Sequence, residues 1–235
     1  MNIILLARTD SWRANDCVIL RDRRADHIRG VLRARVGDVL RVGLIGGLSG
    51  KAVVSAMDSK GVTLRVALAD PPPKRHRFDI VLALPRPKML RRILRTVAEF
   101  GVSNLHLINT ARVDKSFWQT PLLEPPQVQE ALRAGMERSR DTISPRVHQH
   151  RLFRPFVEDR LVEICAGRPC WIAQMGASQA LLDTPAGRAL VMIGPEGGFV
   201  PFELKLVQAV IAEPVNLGER LLSVDTALTS ALAQG

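Results

Sequence analysis

Aromatic residues are scarce in this 235-residue sequence: tyrosine is absent, and all aromatic residues together make up 4% of the chain. RNA-binding modules that stack bases, such as RRM and OB domains, need several aromatic side chains at their surface. The sequence therefore disfavours a base-stacking module, and any contacts with nucleic acid are expected to run mostly from arginine to phosphate.

Cysteine is also rare, with only Cys17, Cys165 and Cys170 present. Their number is odd, and they show neither CxxC spacing nor a neighbouring histidine cluster, which disfavours both a disulfide framework and a zinc site. We expect buried free thiols and no metal.

Long apolar runs are missing as well. No run approaches the 18 or more residues that cross a bilayer, and residues 1–8 lack the basic region that begins a signal peptide. We therefore expect a cytoplasmic protein without a membrane segment.

Two common nucleotide-binding signatures are absent: no Gly-Lys-Ser/Thr follows a glycine loop, and no G-x-G-x-x-G occurs. Classical nucleotide-binding folds are correspondingly disfavoured.

Positive charge, in contrast, is abundant. Lysine and arginine total 33 against 23 acidic residues, giving a formal net charge of +10. Basic surfaces bind nucleic acid strongly because binding releases condensed counterions, so the predicted partner is a polyanion. Membrane lipid is the weaker alternative.

The N-terminal third has the pattern of a small β-barrel. Short strands are predicted at 39–42, 52–56 and 62–68, with glycines between them, and a short helix at 25–33 precedes them. The proline-rich, charged stretch 70–77 is typical of a linker. We therefore predict a first domain at 1–73 and a second at 74–235.

The second part alternates strands and helices. Apolar residues at helical spacing predict a helix after Pro87 that ends before Gly101, on the face Leu90, Ile93, Leu94, Val97 and Ala98. Strands are predicted at 80–84, 104–108, 171–173 and 190–193, and further helices at 126–140 and 201–213, the latter with Phe202, Leu206, Val207, Val210 and Ile211 on one face. This order indicates an α/β domain with a mostly parallel sheet.

A glycine-rich segment, residues 194–199 (GPEGGF), joins a buried strand to a helix. Glycines remove the Cβ obstacle and allow positive φ, so such a loop lets the backbone approach a ligand closely at the carboxyl end of a strand. A tight strand-to-helix turn explains the same glycines equally well.

This segment, followed by Glu203 and by residues 217–227 (LGERLLSVDTA), resembles the paired C-terminal motifs of the ribosomal RNA small subunit methyltransferase E family, a member of the SPOUT class. Similarity extends to His27-Ile28, residues 31–33 and 37–38, Lys88, residues 99–102, and Glu137 with Arg138. It covers nearly the whole chain.

The resemblance implies a SPOUT-type trefoil-knotted α/β domain preceded by a small PUA-like β-barrel RNA-binding domain, and a homodimer. It also implies methyl transfer from S-adenosyl-L-methionine to N3 of a uridine in 16S ribosomal RNA, free or in the small ribosomal subunit. Three loops would bind the cofactor: Gln174, Met175, Gly176; Ile193, Gly194, Pro195, Glu196, Gly197, Gly198; and Leu217, Gly218, Arg220, Leu221, Leu222.

Arg220 and Asp225 are the candidate catalytic residues. Loss of the N3 proton builds negative charge on the pyrimidine, which an arginine stabilises, while a carboxylate or water accepts the proton. Structural roles remain open for both: Asp225 suits a helix N-cap, and Arg220 suits an ion pair. Glu196 either binds the cofactor or braces its own loop.

Arginines and lysines near the barrel and the central helices are the candidate RNA contacts: Arg8, Arg21, Arg23, Arg24, Arg29, Arg33, Arg35, Lys88, Arg138 and Arg140. A basic helix face is also expected from Arg86, Lys88, Arg91, Arg92 and Arg95. A solvated surface is the alternative for each one.

The sequence departs from the family pattern at Ser223 and Asp225, where relatives carry arginine and glutamate, and at residues 137–141 (ERSRD), which lack a glycine. Arg138 and Arg140 are candidates for compensation. The departures at Ser223 and Asp225 suggest one alternative, a catalytically impaired RNA-binding protein on the same scaffold. A second alternative is a knotted methyltransferase with another RNA target, such as a ribose hydroxyl, since other knotted methyltransferases modify ribose.

Overall fold

The computed structural model describes residues 2–14 and 16–235. The chain forms two compact units: one contains the residues up to Lys74 together with Ala134–Ser144, and the other contains Arg75–Arg133 and Pro145–Gly235. None of the described helices is both long and apolar enough to cross a bilayer.

The first unit is built on a six-stranded sheet in the order β1-β4-β5-β6-β3-β2. β1 pairs with β4 in parallel, and the other neighbours are antiparallel. A helical turn, α1 (Arg23–Asp26), continues as a π-helical turn over His27–Val31. The strands are β1 (Ile4–Leu6), β2 (Ser11–Ala14), β3 (Cys17–Leu20), β4 (Val39–Leu44), β5 (Ser49–Asp58) and β6 (Gly61–Asp70).

Alternation along these strands separates an inner from an outer face. In β5, Ala52 and Val54 are buried while Lys51 and Val53 are exposed, as expected for strands with one face on a core. The core of this unit consists of Ile4, Leu6, Val18, Leu20, Ala25, Ile28, Val42, Ala52, Val54, Val62, Leu64 and Val66.

The segment Ala134–Ser144, which the sequence analysis assigned to the second domain, is part of the first unit. Backbone hydrogen bonds explain this: Asn2 N–H donates to the Glu137 carbonyl at 2.9 Å and Gly46 N–H to the Thr142 carbonyl at 2.8 Å. The Thr142 hydroxyl also donates to the Gly47 carbonyl at 2.5 Å.

The second unit contains a six-stranded, fully parallel sheet in the order β12-β10-β11-β7-β8-β9. β7 and β11 are buried along their whole length, which is typical of central parallel strands. Its strands are β7 (Phe78–Ala83), β8 (Asn104–Ile108), β9 (Arg146–His150), β10 (Cys170–Ala173), β11 (Ala189–Ile193) and β12 (Glu213–Val215). Its helices are α2 (Pro87–Glu99), α3 (Pro125–Ser139), α4 (Phe153–Pro155), α5 (Leu161–Cys165), α6 (Pro201–Val210) and α7 (Val224–Ala233), with α3 ending in the first unit.

Most predicted elements of this unit are present, and the mixed α/β class is confirmed. α2 has Pro87 at its first position and buries the predicted face, Leu90 to Ala98. It ends before Gly101, whose φ of +71° suits a residue without a Cβ.

The prediction for α6 was wrong at its end. The helix ends at Val210, and Glu213 begins strand β12, because Pro214 has no N–H to donate and disfavours helical geometry at the residue before it. Its predicted face was also wrong at Phe202, which is 55% exposed, whereas Glu203 is buried.

The cysteines are free thiols, and Cys165 and Cys170 are buried as expected. Cys17 is only half-buried, because it alternates with the buried Val18 along β3.

Candidate active site

An open cleft lies where β10, β11 and β12 end. Because all three strands are parallel, their carboxyl ends share one edge of the sheet, and ligands of α/β proteins bind at such an edge. The loops that follow the three strands form its walls, and α7 contributes Val224 and Ala227.

The structure brings the three predicted loops together. All the predicted cofactor residues except Gly176 and Gly197 line the cleft. Sequence reasoning missed four other lining residues: Ala173, Phe199, Val224 and Ala227.

The loop 194–199 is both a tight turn and a wall of the cleft. Gly198 N–H donates to the Pro195 carbonyl at 2.7 Å, and Gly198 has a φ of +71°. A Cβ on Gly194 would lie 3.1 Å from the Phe199 ring, so glycine permits the close packing there. A tight strand-to-helix turn and close approach of the backbone to a ligand are therefore compatible explanations of these glycines.

Asn216 connects the first loop to the third, and sequence reasoning missed it. Its side-chain amide donates to the carbonyls of Ala177 at 2.8 Å and Gln179 at 3.0 Å. Its side-chain oxygen accepts the N–H of Gly218 at 3.1 Å. These bonds fix Gly218, with its φ of +114°, against the opposite loop.

Two arginines from distant parts of the chain contact the glycine loop. Arg86, just before α2, lies 3.5 Å from the Glu196 carboxylate, and the Arg112 guanidinium donates to the Gly197 carbonyl. Among the hydrogen bonds of the described residues, none joins the Glu196 side chain to its own loop, and its carboxylate pairs with Arg86. Arg112 follows β8, and no motif in the sequence pointed to it.

The Glu203 side chain holds the C-terminal end of the loop 194–199 in place. This side chain is buried, accepting the N–H of Val200 at 2.9 Å and the N–H of Ala111 at 2.7 Å. One carboxylate thereby joins the start of α6 to the segment after β8 that carries Arg112.

The two candidate catalytic residues differ in position. Arg220 lines the cleft. Asp225 does not: its carboxylate accepts the Ser223 hydroxyl at 2.6 Å and lies 3.4 Å from Arg92. The Ser223 hydrogen bond, followed by the Arg92 charge, lowers the pKa of Asp225, which makes its carboxylate a weak base. The N-cap of α7 is Ser223, so the alternative of Asp225 as N-cap was wrong by two positions.

The structure removes Arg24 from the candidate RNA contacts. It is 8% exposed, and its guanidinium binds Asp10, Asp22 and the Leu5 carbonyl. Burial of a cation requires such pairing, which leaves no donor geometry for phosphate.

The other predicted RNA contacts keep some exposure. Arg23 pairs with the buried Glu137 at 2.7 Å while its side chain stays 57% exposed, and Arg29 donates to Asp26 and to the Asp58 carbonyl. The remaining seven are exposed: Arg8, Arg21, Arg33, Arg35, Lys88, Arg138 and Arg140. Arg86, just before α2, is also exposed, as are Arg91 and Arg92 on α2, whereas Arg95 on the same helix is half-buried.

Three histidines stack on one another on strand β8 and the edge strand β9 of the parallel sheet. The rings of His106 and His148 are 4.5 Å apart, and His106 Nδ1 lies 3.1 Å from His150 Nε2. Within residues 2–14 and 16–235, no group of three or more histidine, cysteine or acidic side chains has the geometry to hold a metal ion.

Comparison with known proteins gives consistent results. The RNA methyltransferase domain model matches residues 72–234. Ribosomal RNA small subunit methyltransferase E of Treponema pallidum is 28% identical, covering 99% of this chain and 90% of that protein. The protein of the same name from Synechocystis is 27% identical, covering 92% of this chain and 72% of that protein.

A solved structure shares the fold over nearly its full length. It is ribosomal RNA small subunit methyltransferase E from Neisseria gonorrhoeae bound to S-adenosyl methionine, with a TM-score of 0.78 and 19% identity. The similarity covers 99% of this chain and 95% of that one.

Proposed function

Since the chain belongs to the ribosomal RNA small subunit methyltransferase E family, we propose that it methylates N3 of a uridine in 16S ribosomal RNA, using S-adenosylmethionine. The observation that carries this proposal is the convergence of three loops at one sheet edge, with Arg220 among their lining residues. The names of the relatives support the same RNA target.

The cleft residues fit this cofactor. Gly194, Gly198 and Gly218 let backbone groups approach a bound molecule, while Leu217, Leu221 and Leu222 supply apolar surface for an adenosine. Among the described residues that line the cleft, Glu196 and Arg220 carry charge. The Glu196 carboxylate suits the positive charge of the cofactor. When bound, S-adenosylmethionine supplies an electrophilic methyl group.

Arg220 is the proposed catalytic residue. Its guanidinium would stabilise the negative charge that grows on the pyrimidine as N3 loses its proton. Asp225 is proposed as a positioning residue, since its weakly basic carboxylate is engaged with Ser223 and Arg92. The proton would then leave to water through the open mouth of the cleft.

The remaining family features are part of the same proposal. Residues 1–73 would act as a PUA-like RNA-binding domain and residues 74–235 as a trefoil-knotted methyltransferase domain. The active form would be a homodimer in the cytoplasm, acting on 16S RNA free or in the small ribosomal subunit.

A second candidate function is favoured by the residues at positions 223 and 225. Ser223 and Asp225 stand where the family pattern has arginine and glutamate, and Asp225 is outside the cleft lining. An RNA-binding protein that has lost catalysis on this scaffold is therefore the alternative.

Nucleoside analysis tests the proposal. The protein is incubated with methyl-labelled S-adenosylmethionine and with either 16S RNA or small subunits that lack the modification, and the digested RNA is analysed by mass spectrometry. We expect N3-methyluridine. A ribose-methylated product would contradict the assigned target, and RNA binding without any methyl transfer would favour the second candidate.

A further inference from the structure

The outer face of the first unit carries a cluster of exposed cations and valines. The cluster lies on the adjacent strands β4, β5 and β6 and consists of Val39, Arg41, Lys51, Val53 and Arg65, all exposed. We call these residues the outer-face cluster. The opposite face of the same strands packs into the core, so the fold itself does not need these side chains.

The strand register places like charges side by side. Arg41 lies directly opposite Lys51, and Val53 lies opposite both Val39 and Arg65. Directly opposite residues in a sheet interact, and like charges at such positions are destabilising. The arrangement therefore costs the folded protein stability.

No acidic partner in the described part of the chain offsets this cost. Among residues 2–14 and 16–235, no ion pair or side-chain hydrogen bond reaches Arg41, Lys51 or Arg65. Only some arginines of this unit have acidic partners among the described residues: Arg23 pairs with Glu137, Arg24 with Asp10 and Asp22, and Arg29 with Asp26. The cations of the outer-face cluster are thus left to solvent or to an external anion.

Apolar surface lies within the same cluster. Val39 is 59% exposed and Val53 is 41% exposed. Flanked by cations, the two valines form a small apolar surface of the kind that suits a sugar edge, with positive charges beside it that suit phosphates. The scarcity of aromatic residues agrees with contacts to a backbone and not to stacked bases.

We propose that the outer-face cluster is an RNA-docking surface, in which Arg41, Lys51 and Arg65 bind phosphates and Val39 and Val53 contact the sugar backbone of a structured RNA. This surface differs from the RNA contacts expected from the sequence, which lie before β4, at Lys88 in α2, and at Arg138 and Arg140. The inference deepens the proposed function and rests on it for the identity of the RNA.

A charge-neutral variant tests this surface. The triple variant Arg41→Gln, Lys51→Gln, Arg65→Gln is compared with the control Lys60→Gln, Lys74→Gln, Lys205→Gln, which removes three charges at other exposed positions. Binding to a 16S RNA transcript is measured at several KCl concentrations. Because each phosphate contact contributes about 0.7 to 0.9 to the slope of log K against log salt, we expect the outer-face variant to lower that slope by about 2 to 3.

The expected loss of affinity at physiological salt is at least about tenfold for the outer-face variant, against a slope change below about 1 for the control. The outer-face variant should also unfold at an equal or higher temperature, since it relieves like-charge repulsion. Equal slopes and affinities in the two variants would overturn the proposal. Binding to anionic lipid vesicles is measured for the same variants. A loss of vesicle binding in the outer-face variant, with RNA binding unchanged, would also overturn the proposal.

Methyl transfer by the wild-type protein is assayed in parallel, which separates the two proposals. A wild-type chain that binds RNA through this surface but methylates none would contradict the proposed function and support the docking surface. If the wild-type chain methylates 16S RNA and the outer-face variant has the same rate and RNA affinity, the proposed function is supported and the docking surface is contradicted.

Discussion

Arg220 and Glu196 place opposite charges in the wall of one cleft, and they come from two loops more than twenty residues apart. The sequence indicated both residues through motifs. It did not indicate Arg112 or Asn216, whose contacts depend on where β8 and β12 lie in the sheet. Contacts of this kind arise from tertiary structure, which local pattern does not encode.

Removal of the Arg220 guanidinium should impair catalysis more than cofactor binding. We expect Arg220→Ala to lower kcat by about 100-fold or more, the usual effect of losing one preorganised donor to a developing anion, and Arg220→Lys to recover part of it. Methyl-transfer kinetics and calorimetric titration with S-adenosylmethionine measure the two effects. The control is Lys205→Ala, an exposed change on α6, and near-normal turnover in Arg220→Ala would remove Arg220 from the catalytic role.

Gly197 should affect the cleft through Arg112. A Cβ at position 197 would lie 2.9 Å from Arg112 Cδ, so Gly197→Val forces the arginine away from the loop. We expect the valine to weaken cofactor binding in the wild-type background and to have little further effect in an Arg112→Ala background. A double-mutant cycle of cofactor affinities measures this coupling, and strictly additive effects would contradict it.

At the level of elements, hydrophobic periodicity located α2, β7, β8, β10 and β11, because each buries a regular apolar pattern. It missed β9, whose sequence (RVHQH) contains a single apolar residue, and it missed the three-residue strand β12. Both are edge strands, and their pairing is decided by the neighbouring strand more than by their own composition.

Glu203 should be important for the stability of α6 and its preceding loop. Glu203→Ala would leave the N–H groups of Ala111 and Val200 without their acceptor, at a cost of about 3 kcal/mol or more, and Glu203→Gln should cost less. Urea unfolding measures the difference, with the exposed change Glu213→Ala as control. A Glu203→Ala protein as stable as this control would contradict the proposed bridging role.

His106 should make the free energy of unfolding decrease at acidic pH. Burial, followed by the charges of His148 and His150, lowers the pKa of His106 to about 3, whereas the unfolded value is about 6.5. The folded protein therefore keeps a neutral imidazole at pH values where the unfolded chain binds a proton. Its contribution is fully present above pH 6.5 and falls by about 1.4 kcal/mol per pH unit below it.

Urea unfolding at pH 7.5, 6.5 and 5 checks this expectation. Between pH 6.5 and 5 the wild-type protein should lose about 2 kcal/mol more than His106→Gln, which has no imidazole to titrate. If the stability of the two proteins depends on pH in the same way, His106 is not the cause of the loss of stability in acid.

At the scale of the whole molecule, the family resemblance found in residues 194–199 and 217–227 is confirmed, whereas the domain limits 1–73 and 74–235 remain predictions about function. The grouping of Ala134–Ser144 with the first unit was out of reach of sequence pattern. It depends on hydrogen bonds between residues far apart in the sequence, such as Gly46 to Thr142, 96 positions apart, and Asn2 to Glu137, 135 positions apart.

The cleft beyond β10, β11 and β12 is expected to bind S-adenosylmethionine, and calorimetric titration of the intact chain measures this binding. Gly198→Val places a branched side chain on a cleft residue with φ +71°, and Gly167→Val is the matched control, with φ +76° and no cleft contact. We predict wild-type binding, a loss of at least about tenfold, or about 1.4 kcal/mol, in Gly198→Val, and retained affinity in Gly167→Val. A wild-type chain that gives neither heat nor a thermal shift with S-adenosylmethionine would contradict the account.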